Sequence, residues 1–359
     1  MIKDKREKKT FVFCQNIICQ ELTMKEILNH LFEHKTLSKE QAREVLVNVA
    51  AGRYNQNQIS SFLTVYMMRS ITVDELEGFR NALLELCHRV DLSAYNPIDL
   101  CGTGGDGKDT FNISTLSSFV VAANGIPVAK HGNYGVSSSC GSSNVLEALG
   151  IKFTTDTEAL ERSIDKHNIC FLHAPLFHPA MKSVGPIRKD LAVKTFFNLL
   201  GPMVNPAFPK LQMVGVYSLE LARMYSYLYQ QQPDVKYSII HTLDGYDEIS
   251  LTSPFKVISD KEEVLLDADA LGLPRLQHEQ IKGGAGIAES AEIFMKVLKG
   301  EGTAAQTAVV SANAGMAIQC TKPAFKTKDA VALAKETLDS GKAYSLFSKL
   351  IEDQKLTSV

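Results

Sequence analysis

The segment Asp99 to Thr115, DLCGTGGDGKDTFNIST, ends an apolar run with three glycines in four positions (Gly102, Gly104, Gly105) and adds Gly107 after Asp106. Glycines let backbone N–H groups converge on an anion. The hydroxyl and amide run that follows, Thr110, Asn112, Ser114 and Thr115, stands where a helix should begin. A helix N-terminus there adds partial positive charge at the same place, so strand, glycine turn and helix start together read as a phosphate cradle. Neither common version fits. Gly-x-x-x-x-Gly-Lys-Ser/Thr is absent, and Gly-x-Gly-x-x-Gly lacks its dinucleotide context.

A second unit follows 15 residues on. Lys130, His131, Gly132 and Asn133 come after the apolar stretch Ile126 to Ala129. Ser137, Ser138, Ser139, Gly141, Ser142 and Ser143 then precede an apolar helical pattern through Val145 and Leu149. Two strand–loop–helix units thus present glycines and hydroxyls at a strand's C-terminal end, the edge where open α/β sheets bind ligands. Adjacent loops of this kind imply a ligand with several phosphate oxygens.

The rest of the chain supplies the frame. From 24 to about 95 the pattern is helical, with capping-box starts at Ser38/Gln41 and Thr72/Glu75. Asn96-Pro97 marks a break, after which apolar runs (IDL, IPVAK, ICFLHAP, QMVGVYS, YSIIHT) alternate with helical patterns. This predicts an α/β fold: a small N-terminal helical domain (24–95) and a larger α/β domain (96–359) with a mainly parallel central sheet covered by helices. Helices near 178–200 are expected to pack back on the helical domain. Residues 1–23 carry five basic residues before FVFCQNIIC, but Gln15 and Asn16 interrupt the stretch and no Ala-x-Ala follows. They read as a dispensable extension.

At 359 residues and 45% hydrophobic, the chain can bury a core for two domains. A net charge of -2 excludes a mainly electrostatic attraction to nucleic acid or anionic membrane. No segment approaches the ~20 apolar residues that span a bilayer. Seven cysteines without a CxxC pair read as reduced thiols of a cytoplasmic protein.

GTGGD with TFNIST, then KHGN and SSxxGS before VLEALG, resembles the anthranilate phosphoribosyltransferase family. The similarity continues through RKDLAVKTFFNLLGPMVNPA (188–207), HTLDGYDEIS (241–250) and VVSANAG (309–315). The resemblance implies transfer of the phosphoribosyl group of phosphoribosyl pyrophosphate (PRPP) to the amine of anthranilate, with Mg2+ as cofactor, in a homodimer. It places Gly102, Gly105, Asp106 and Thr110 around the ribose and pyrophosphate, and Asn112, Ile113, Ser114 and Thr115 at the pyrophosphate oxygens. Lys130 neutralises the leaving group; His131, Gly132, Asn133, Ser137, Ser138 and Ser142 complete the PRPP site. Gly102, His131, Asn133 and Arg188 meet anthranilate, while Ser114, Asp247 and Glu248 hold the metal.

The residues carry alternatives beside these roles. Asp106 is an anion in an anion site and could simply cap a turn. Lys108 and Asp109, flanked by glycine, suggest a lid. Asp247 and Glu248 could be a solvated strand start, and consecutive strand residues point to opposite faces, so both serve one metal only from a loop or with two ions. Departures from the family pattern are Tyr134-Gly135 after KHGN, Ala192 and Lys194 in place of glycine and arginine, and Cys140 in place of serine. Competing readings are a pyrimidine-nucleoside-phosphorylase-like enzyme and a non-catalytic nucleic-acid-binding relative.

Overall fold

The computed structural model describes residues 23–135 and 140–356. Four helices come first: α1 (Met24–Phe32), α2 (Lys39–Ala50), α3 (Gln56–Met68) and α4 (Val73–Leu86). Each begins at a reciprocal capping box, with Thr23, Ser38, Asn55 and Thr72 as caps. The cap of α1 is therefore Thr23, one residue before the expected start at 24, because its hydroxyl accepts from Glu26 N–H.

Seven strands form one sheet: β1 (Ile98–Gly102), β2 (Val128–Gly132), β3 (Ile169–His173), β4 (Leu211–Gly215), β5 (Lys236–Thr242), β6 (Phe255–Ser259) and β7 (Glu263–Leu266). Their order is β3-β2-β1-β4-β5-β6-β7, and the first five are parallel. Strand β6 runs antiparallel to β5 and β7 antiparallel to β6, so the sheet is mainly parallel, as expected, with an antiparallel edge. After β1 the chain moves to β2 on one side and later returns to β4 on the other, so β1 and β4 flank the topological switch point. Helix α5 (Ile113–Ala123) follows β1, and α6 (Ser142–Ala148) follows β2. The remaining helices are α7 (Thr157–His167), α8 (Ala174–Phe177), α9 (Gly185–Leu191), α10 (Phe197–Leu200), α11 (Leu219–Gln230), α12 (Ile287–Leu298), α13 (Ala304–Thr321), α14 (Thr327–Asp339) and α15 (Lys342–Leu356).

Strand alternation divides the core in two. Met213, Ile240 and Val257 face one way, into a cluster with α5 and α12 to α15. Val214, Ile239 and Ile258 face the other way, and their cluster is continuous with the buried faces of α1 to α4. The helical region therefore shares its core with one face of the sheet. Segment 180–204 is the seam: Phe196 stacks on Phe79 at 4.4 Å between ring centroids and meets Phe62 and Tyr66 edge-on. This seam carries Arg188 from its helix to the switch point.

Candidate active site

A cleft of about 320 Å³ opens at the C-terminal ends of β1, β2 and β4. Every described residue singled out for the site from sequence lines it; Ser137 and Ser138 lie outside the described residues.

The first cradle is built as its glycines require. Gly104, Gly105 and Gly107 have φ of +63°, +78° and +73°, a region that side-chain-bearing residues rarely adopt. Asn112 occupies the cap position of α5 but makes no side-chain cap bond; its amide donates to the Cys140 carbonyl at 3.3 Å. The expected hydroxyl cap is thus missing, and the first-turn N–H groups of α5 are left without that competitor. The loop tip is docked: Gly283 N–H donates to the Asp109 carbonyl at 2.7 Å, and the Lys108 ammonium lies 4.9 Å from the Tyr246 ring centre. The segment of Lys108 and Asp109 is thus held against Gly283 and Tyr246.

Asp247 and Glu248 sit in the loop between β5 and β6, which removes the objection from strand alternation. They are no solvated strand start: Asp247 is buried, and one oxygen of each of Asp247, Glu248 and Asp106 can lie within 4.8 Å of the other two. Burial, with the Asp106 charge beside it, pushes the Asp247 carboxyl up to about 7. Burial and Asp247 push Glu248 well above the ordinary range, and burial raises Asp106. Glu248 Oε1 and Asp106 Oδ2 are buried without a hydrogen-bond partner. Like charges crowded this way call for a cation, and an all-oxygen donor set suits a hard divalent one such as Mg2+. For Asp106 the turn-capping reading holds, with Oδ1 accepting Lys108 N–H at 3.1 Å, while its Oδ2 is buried without a partner and the residue belongs to the acidic cluster.

The second cradle holds one buried cation, Lys130, beside a neutral histidine. Lys130 is 2% exposed, and its ammonium donates to the Leu100 carbonyl at 2.6 Å and lies 3.4 Å from Ser114 Oγ. His131 lies 3.0 Å through Nδ1 from the Gly201 carbonyl, and a carbonyl can only accept. The proton is therefore on Nδ1, leaving Nε2 as a buried acceptor with no partner. Burial, helped by neighbouring His178, depresses the His131 ring to about 3, so it stays neutral. The neck of the KHGN loop is closed by Ser143 N–H on the Asn133 carbonyl at 3.1 Å, and by Asn144 Oδ1, which accepts from both Gly135 and Gly141 N–H.

Arg188 stands half-buried with one Nη2 bond to Asn198 Oδ1 at 3.2 Å and a face contact with Phe197 at 5.3 Å. Its Nε is buried and unpartnered, and no described acidic residue pairs with it. Burial draws its pKa down to about 10, so it remains a cation short of an anion. Leu83, Met181 and Pro202 line the same cleft with apolar surface.

Sequence reasoning missed the supports. A Cβ on Gly215 would fall 1.4 Å from the Asp247 carbonyl oxygen, and one on Gly102 would fall 2.3 Å from Asp247 Oδ2, so both strand ends must be glycine for the acidic loop to lie there. Asn313, inside the apolar helix α13, clamps Ile249 from both sides: Oδ1 accepts its N–H and Nδ2 donates to its carbonyl. Asn205 binds buried Asp99 and the Ala129 carbonyl, and His178 lies 5.3 Å from the His131 ring. The available signal was a poor helix former in the middle of a small-residue helix, at Asn313.

Comparison with known proteins agrees with this geometry. The glycosyl transferase family a/b domain matches residues 94–344, and its helical bundle domain matches residues 25–87. An anthranilate phosphoribosyltransferase of Christiangramia forsetii is 63% identical over 327 residues, 91% of this chain and 98% of that protein. The crystal structure of the Thermus thermophilus enzyme matches with a TM-score of 0.83 at 33% identity, covering 90% of this chain and 98% of that one. The Saccharomyces cerevisiae enzyme in complex with PRPP and Mg matches with a TM-score of 0.84 at 25% identity, covering 94% and 98%. The chain belongs to the anthranilate phosphoribosyltransferase family.

Proposed function

We propose that this protein transfers the phosphoribosyl group of PRPP to the amine of anthranilate, releasing pyrophosphate. The observation that carries the reading is one cleft holding both a cation short of an anion, Arg188, and an acidic cluster short of a cation, Asp106, Asp247 and Glu248. Arg188 suits a planar carboxylate through its forked donors. His131 Nε2, a bare acceptor, suits an amine N–H, and Asn133 and Gly102 complete that pocket. Gly105, Thr110, Asn112, Ile113, Thr115, Gly132 and Ser142 would take the phosphoribosyl and pyrophosphate oxygens through N–H groups and hydroxyls.

Mg2+ would be held by Asp247 and Glu248 with the Ser114 hydroxyl, and Asp106 fits the same donor set; when bound it neutralises charge on pyrophosphate. Lys130 supplies further positive charge at the leaving group. Anthranilate's aromatic amine needs little deprotonation before attack at C1, so the chain's task is to orient the two substrates and to stabilise the departing pyrophosphate. We also assign the cytoplasm, supported by five described cysteines all unpaired, and a homodimer, supported by exposed Phe32, Met67 and Met68 on the helical domain.

Anthranilate fluorescence followed with PRPP and Mg2+ tests the reaction. Loss of signal that requires both additions is expected, with Arg188→Ala and Lys130→Met each slowed about 100- to 1,000-fold. Folded wild-type protein that leaves the fluorescence unchanged would refute the assignment.

A further inference from the structure

The loop after β1 has little to hold it from within, since three of its residues are glycines at positive φ. Apart from the Lys108 N–H bond to Asp106 Oδ1, its shape is set by contacts from outside. Gly104 N–H donates to Asp247 Oδ2 at 2.6 Å, an oxygen of the acidic cluster itself. The Asp109–Gly283 bond lies beyond the last glycine. Between these two anchors, the Lys194 ammonium donates to the Gly105 carbonyl. The lysine stem lies along the same residue: a Cβ on Gly105 would stand 3.5 Å from Lys194 Cδ and Cε.

Lys194 is itself held from the acceptor side. It follows the left-handed turn at Ala192 (φ +53°) that ends α9, and the next residue, Thr195, donates its N–H to Asn198 Oδ1. That same oxygen accepts from Arg188 Nη2. Segment 188–198 is therefore a strut from the acceptor's arginine to the middle of the glycine loop.

Gly105 and Asp106 line the cleft, whereas Lys194 does not. In a planar trans peptide, the carbonyl of one residue and the N–H of the next point in opposite directions. The Gly105 carbonyl is directed at a residue outside the cleft lining, and planarity directs the Asp106 N–H the opposite way. The reverse orientation would aim a carbonyl oxygen at phosphate oxygens, and a glycine at positive φ offers little resistance to that flip.

We propose that Lys194 is a positioning residue for the donor substrate: it fixes the Gly105–Asp106 peptide with its N–H presented to the pyrophosphate of PRPP. The proposal rests on the PRPP reading above. Lys194 also bears on the site through its charge, which acts on the Asp106 carboxylate without a close ion pair among the described residues.

The test is calorimetric titration of the full chain with Mg2+-PRPP, together with steady-state kinetics, for wild type, Lys194→Met and Lys194→Arg. Methionine keeps the stem against Gly105 and removes the donor; arginine restores one. The expected result is PRPP affinity weakened about tenfold in Lys194→Met, with the anthranilate KM unchanged and affinity recovered in Lys194→Arg. Wild type that does not bind PRPP overturns the functional reading and this proposal together. Wild type that binds while Lys194→Met stays within about twofold overturns the role of Lys194 alone. Equal weakening of both substrates, or an arginine variant as weak as the methionine one, also overturns it, because loop packing without peptide orientation accounts for either.

Discussion

His131 and His178 show how burial sets chemistry at single residues. Burial first, then a neighbouring histidine, holds the His131 ring at about 3; burial takes His178 to about 4. Unfolded histidines titrate near 6.5. Between that value and pH 4 the unfolded chain binds protons that the folded chain refuses, so these two rings favour folding above pH 6.5 and lose that contribution as pH falls, by about 1.4 kcal/mol per pH unit for each ring. Asp247, raised to about 7, acts in the opposite sense over the same window. The direct readout is therefore the rings themselves. In NMR titrations of folded protein, the His131 and His178 resonances should stay at their neutral positions down to pH 5; a midpoint near 6.5 for either would contradict the burial argument. Neutral His131 is also what the acceptor pocket needs, since a protonated ring could not accept from an amine.

Among elements, β1 and β4 matter most, because their last paired residues are Gly102 and Gly215. Pairing register alone brings two glycines side by side, and the acidic loop 247–248 occupies the space that side chains would fill. Gly215→Ala forces the Asp247 carbonyl to move. The expected cost is about 1–3 kcal/mol of stability from overpacking. Activity should fall about 100-fold, because displacing a site group by an ångström is enough. Thermal melts and the fluorescence assay check both, and a variant with wild-type rate would show the loop to be more tolerant than its packing implies. The helix-start motifs behaved differently: all four capping boxes of the helical domain are local, and three of them fit Ser/Thr-x-x-Glu/Gln, with Ser38/Gln41 and Thr72/Glu75 read as such from sequence.

At the level of the whole molecule, the helical region and the α/β region are joined by a shared core, so neither is a free-standing lid on the other. Leu83 from α4 even lines the active-site cleft. Among otherwise largely polar exposed residues, the helical region leaves a few apolar side chains outside: Met68 is 85% exposed and Phe32 59%. Exposed apolar side chains such as these favour association. Light scattering should report 79 kDa, twice the chain mass of 39.5 kDa, and Met68→Glu should shift it toward the monomer. A monomer at every concentration for the wild-type chain would refute the homodimer.

The sequence by itself determined the parts whose meaning is local. Glycine clusters at strand ends and the hydroxyl-rich segments after them announced themselves because residue type and spacing over a few positions decide what such segments can do, whereas the Asp247-Glu248 pair stood out only through the family resemblance. Tertiary structure decided which of these parts share a site and what supports them. Gly104 and Asp247 are 143 positions apart, Asp99 and Asn205 are 106 apart, and Lys194 reaches Gly105 across 89. No periodicity links such pairs. They meet because the sheet order places β4 beside β1, and burial then raises the carboxyls, silences the histidines and leaves Arg188 without an anion. Desolvation is a property of the folded arrangement, and it is what converts an ordinary set of polar residues into a site.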